Sequence, residues 1–201
     1  MASRSGLLFL SLASAVIYLS LTLLILRFFH DAPLASLFDH GFGIPLQLLA
    51  GAVFGILAAA GISFVIWRTP ISKILKDYAI VELVMQMRFT RFDRIQISLF
   101  AGVGEELLFR GAMQPVLGIW LTSLIFVGIH GYFKFHSPRH ILFGLMMFAL
   151  SVGLGLLYEW AGLIAAMTAH AVYDFIMLEV SHRYPALWHS ETPEGSEDDA
   201  L

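Results

Sequence analysis

The sequence predicts an all-α protein, a polytopic membrane bundle of about six transmembrane helices. Three observations lead there. Of its 201 residues 58% are hydrophobic. Only 13% are charged, about half the fraction a soluble domain carries. Apolar runs also recur at the roughly 20-residue length that crosses a hydrocarbon core. The net charge of -3 gives no reason to expect a nucleic-acid partner. With no cysteine, disulfides, thiolate nucleophiles, iron–sulfur clusters and zinc–thiolate sites are excluded.

The first expected span covers residues 6–29, too long for a signal-peptide core and without a small-residue cleavage site after it. A polar turn with Asp31, Pro33 and Asp39 separates it from a second span at 42–67. Residues 68–94 then interleave Arg68, Lys73, Lys76, Arg88, Arg91 and Arg94 with apolar side chains, which suits an amphipathic segment at the interface. Further spans are expected at 95–113, 115–133, 140–158 and 162–180, with Pro115 starting the fourth helix. Residues 1–180 are thus expected to form one transmembrane domain, its functional part at about 95–180. The acidic stretch 181–201, with Glu191, Glu194, Glu197, Asp198 and Asp199, is expected to be a disordered tail. The 68–94 connection holds six of the twelve lysines and arginines, so it and both termini are expected in the cytoplasm.

Ionisable side chains at membrane depth are costly and usually functional. Within the later spans they are Glu105, Glu106, Arg110, His130, His170 and Asp174. The first two spans contain no acid or histidine in their interiors and read as scaffold. On a helix, Glu106 and Arg110 lie about 40° apart and can pair, whereas Glu105 and Arg110 lie about 140° apart. Glu106 and Arg110 should therefore neutralise one another, leaving Glu105 to accept a proton from water. A structural ion cluster is the plainer alternative. His130 is either an interfacial histidine or a catalytic one. His170 and Asp174 are four residues apart, so Asp174 can fix the ring of His170, or the two form a polar helix contact.

Glu105-Glu106-x-x-x-Arg110, then Phe126-x-x-x-His130, then His170-x-x-x-Asp174, on separate helices and in that order, resembles the CPBP (Abi) family of intramembrane proteases. That family includes the eukaryotic CaaX prenyl endopeptidase and bacterial bacteriocin-processing or self-immunity proteins. The resemblance covers about residues 100–175. It implies an intramembrane endopeptidase in which Glu105 activates water with help from His130, and His170 and Asp174 serve the oxyanion. Asp174 stands where the family often has asparagine. An ionised aspartate would repel an oxyanion, so its expected role is to orient His170. Glu106, Arg110 and Phe126 are expected to support the site.

Family members are often labelled metalloproteases, and Glu105, His130 and His170 could make the two-histidine, one-carboxylate set of a hydrolytic zinc. There is no His-Glu-x-x-His and no thiolate, so a mechanism without a cofactor is expected, with zinc as the alternative. The expected partners are a membrane-associated protein or peptide substrate and the lipid bilayer, in a bacterial inner membrane. The competing classes are a non-catalytic immunity or sensor protein and a proton-coupled transporter. The transporter is disfavoured because no repeat or paired broken helices are visible.

Overall fold

The computed structural model describes residues 4–87 and 89–184. Among them the chain is helical, and its one bridge between extended residues joins Gly41 to Gly162. The helices are α1 (Arg4–Ile25), α2 (Ile44–Arg68), α3 (Ala79–Gln86), α4 (Arg91–Glu106), α5 (Gln114–Ile129), α6 (Pro138–Ala161) and α7 (Leu163–Arg183). A π-helical segment, Leu107–Met113, joins α4 to α5 without a loop.

Among the described residues five helical runs are long and apolar enough to cross a membrane, and the molecule is an integral membrane protein. One run, Arg91–Ile129, has 39 residues. At 1.5 Å per residue that is roughly 58 Å, twice the thickness of a bilayer core. It accounts for two of the six expected passes. The reversal comes at Gly118 (φ 76°, ψ 166°) rather than before Pro115. Proline can end the π segment because it only forgoes a donor, whereas turning the chain back needs a positive φ, which glycine adopts without a Cβ clash. Beyond Gly118 the chain returns along its own path. Phe126 meets Phe109 edge-on with ring centres 4.9 Å apart.

Two other boundaries differ from expectation. Helix α4 begins at Arg91, not at 95, because Thr90 and Asp93 form a reciprocal capping box. Helix α7 continues through Ser181 to Arg183, where Arg183 pairs with Glu179 one turn back. The remaining acidic tail, with Glu191, Glu194, Glu197, Asp198 and Asp199, lies outside the described residues.

The amphipathic connection folds as a 3-10 segment, Pro70–Asp77, followed by α3. Ile71, Ile74 and Leu75 are buried while Lys73 and Lys76 are exposed. Asp77 is tied to the start of α6 through His140 at 2.9 Å. Tyr78 packs on Tyr132 and Phe143, and its phenol is pushed up to about 12, by burial and then by the charge of Asp77.

Helix α7 is the centre of the bundle. Ala165, Ala166, Ala169 and Ala171 are buried on it. A Cβ at Gly51 would meet the Ala165 carbonyl oxygen at 2.4 Å, and one at Gly102 would meet the Ala171 nitrogen at 2.7 Å. Small residues thus let α2 and α4 approach α7 backbone to backbone. With α4 seated against α7 at Gly102, the next turn of α4 carries Glu105 and Glu106 to the level of His170.

Candidate active site

The six ionisable residues picked from three separate stretches come together. Glu106 and Arg110 are fully buried and paired, with Oε2 3.1 Å from Nε. The other face of the guanidinium group is used too: Nη2 donates to both the carbonyl and the hydroxyl of Ser151 at 2.9 Å. The guanidinium carbon sits 4.9 Å from the centre of the Phe126 ring. The phenylalanine of the second motif therefore has a physical job. Its ring also packs on His130, with centres 4.4 Å apart, and meets His170 edge-on at 5.9 Å.

Glu106 has a second partner that helical spacing could not reveal. Its Oε1 lies 2.7 Å from Nδ1 of His170. A carboxylate accepts, so Nδ1 of His170 is the donor, and Nε2 is the nitrogen left for chemistry. Asp174 Oδ2 faces that Nε2 at 3.5 Å, longer than a good hydrogen bond. The orienting role expected of Asp174 is thus held more closely by Glu106, while Asp174 stands at the reactive side of the ring.

His130 caps α5, and its Nδ1 lies 2.7 Å from the carbonyl oxygen of Phe126. A carbonyl can only accept, so this nitrogen also carries a proton and Nε2 points away from the helix. Nε2 lies 3.5 Å from Oε2 of Glu105. Glu105 takes no part in the Arg110 pair, as the azimuths require.

Two tyrosines escaped the sequence reading. Tyr18, on α1, donates from its hydroxyl to Oε1 of Glu105 at 3.1 Å. Tyr132 follows α5, where its N–H donates to the Val127 carbonyl and folds the chain back. Its ring stacks on His130, with centres 5.8 Å apart and planes within 5°. Burial, then the charges of Asp174 and Glu105, hold the Tyr132 phenol well above its ordinary range, so it is neutral. Phenols are neutral hydrophobes to a polarity scan, which is why neither drew notice.

Glu105, His130, Tyr132, His170 and Asp174 all line one cavity of about 420 Å3. Met147, Met177 and residues of α3 also line the cavity, and its remaining walls are mostly apolar, with Ser11, Ser14, Ser151 and Ser181 among them. Among the described residues no three His, Cys, Asp or Glu side chains converge as a metal-binding group. Glu105 and His130 face one another at 3.5 Å, and His170 Nδ1 is held by Glu106.

A family model for type II CAAX prenyl endopeptidase, Rce1-like, matches residues 89–176. The chain is also 43% identical over 83 residues to the uncharacterized protein YpbD of Bacillus subtilis, a match spanning 41% of this chain and 42% of that protein. No solved structure matches. The matched segment contains α4 to α7 up to Asp174 and Phe175, and with them every motif residue of the site. Over that segment the chain is similar to the type II CAAX prenyl endopeptidase, Rce1-like family.

Proposed function

We propose that this protein is an intramembrane endopeptidase that hydrolyses a peptide bond with water activated by Glu105. The observation that carries the reading is the pairing of Glu105 Oε2 with His130 Nε2 across 3.5 Å, at the wall of a cavity inside the bundle. Two acceptors of that spacing can hold one water. As the water oxygen attacks the carbonyl carbon, one of its protons passes to Glu105. The carbonyl π pair moves onto oxygen. A proton on His170 Nε2 stabilises that oxyanion, and Glu106 on Nδ1 favours the charged ring that this requires. Collapse of the intermediate breaks the C–N bond, and the amine leaves with the proton held by Glu105, relayed by His130. No cofactor enters these steps. The substrate is a membrane-associated protein or peptide, reached from the cytoplasmic face of a bacterial plasma membrane.

The test is Glu105→Gln, which keeps the shape but cannot take the proton. Cleavage of a membrane peptide should be lost, while yield and melting temperature stay near wild type. Normal cleavage by the variant refutes the assignment of the base.

A further inference from the structure

We propose that Tyr18 is a positioning residue for this reaction, holding the carboxylate of Glu105 in the orientation that faces His130. The inference rests on the proposed role of Glu105 and adds a helix to the site. Tyr18 lies on α1, outside residues 89–176 that match the family, so no motif points to it.

Three contacts support the role. The Tyr18 hydroxyl donates to Oε1 of Glu105 at 3.1 Å, while Oε2 faces His130 at 3.5 Å. The two oxygens of one carboxylate therefore have different partners from different helices, and rotation about the last side-chain bond would break both. The Tyr18 ring also lies against Gly104, where an added Cβ would meet Cδ2 at 2.9 Å. The ring is thus seated on the α4 backbone one residue before Glu105. Finally, α1 is otherwise largely lipid-facing, with Leu12, Val16, Leu19 and Leu23 exposed. A polar side chain on such a helix is favoured where it finds a partner inside the bundle, and here that partner is the candidate base.

A phenol is suited to this. It donates one hydrogen bond and remains neutral, so it fixes the carboxylate without neutralising it as Arg110 neutralises Glu106. A lone glutamate with three bonds to rotate would otherwise sample positions away from the water.

Tyr18→Phe removes one oxygen and keeps the ring. It should lower kcat by about 10- to 100-fold, the effect of losing a hydrogen bond to a charged group, with KM and melting temperature near wild type. Infrared difference spectra should show a shifted carboxylate band in Tyr18→Phe, and no such shift when the substitution is made in Glu105→Gln. An unchanged or raised kcat in the folded variant would overturn the proposal, as would a rise in KM alone, which makes Tyr18 a substrate contact. These outcomes are separable from failure of the base itself: if Glu105→Gln cleaves normally the mechanism fails, whereas a dead Glu105→Gln with a fully active Tyr18→Phe sinks only this inference.

Discussion

Glu106 is the residue whose role the geometry changes most. Spacing alone made it the counter-ion of Arg110, and the structure adds the bond to His170 Nδ1. Glu106→Gln should therefore do two things at once. It leaves Arg110 without its buried charge partner, a loss of about 3–5 kcal/mol, seen as a lower melting temperature. It should also cut cleavage more than the loss of folded protein explains, because a neutral amide replaces the charged carboxylate at His170 Nδ1. Equal losses of activity and folded protein would return Glu106 to a structural role. Asp174, facing Nε2 at 3.5 Å, makes a different prediction. Asp174→Asn can still accept from that nitrogen and should keep substantial activity, whereas Asp174→Ala should lose most of it. An asparagine variant as inactive as alanine, yet normally folded, would make Asp174 a base or ligand in its own right.

At the scale of elements, the site depends on how closely α4 lies against α7. Gly102→Ala places a methyl group 2.7 Å from a backbone nitrogen and 2.8 Å from the Met167 carbonyl oxygen, neither of which can move alone. The helices must part, at a cost of about 1–3 kcal/mol, and the Glu106–His170 bond lengthens with them. Gly61 on α2 meets nothing within 4 Å, so Gly61→Ala should be neutral or slightly stabilising by helix propensity. Thermal melts and cleavage rates for the pair check both statements. A tolerated Gly102→Ala would mean that the α4–α7 packing does not set the site.

Across the whole molecule, the ends of α2, α5 and α7 and the starts of α4 and α6 share one face, joined by Asp77–His140 and Arg94–Glu179. Arg68, Lys73, Lys76, Arg91, Lys134, Arg139 and Arg183 belong to that face, and Arg27 lies at the other end of α1. We propose that the basic face is cytoplasmic and that the cavity opens there. The chain has no native cysteine, so Met177→Cys, on the cavity wall, should react with a membrane-impermeant thiol reagent from the cytoplasmic side. Reaction from the opposite side alone would reverse the topology. Purified protein stripped by a strong chelator should keep its activity. Activity lost on chelation and restored by zinc would make Glu105, His130 and His170 ligands after all.

The sequence by itself determined the membrane class, the helical architecture and the six ionisable residues of the site, because apolar run length and the cost of charge in lipid are local properties of the chain. It also separated Glu105 from Glu106, since azimuth on a single helix follows from residue number. The capping box at Thr90 and Asp93 was legible too and would have placed the start of α4. Other features depended on contacts between helices that spacing does not encode. Among these are Glu106 rather than Asp174 at the back of His170, Tyr18 on Glu105, and Tyr132 stacked on His130. The reversal at Gly118 belongs with them, for a glycine in an apolar run reads equally as a packing residue or a turn. Only the packed bundle decides which, because a positive φ is taken where the returning helix finds a core to bury.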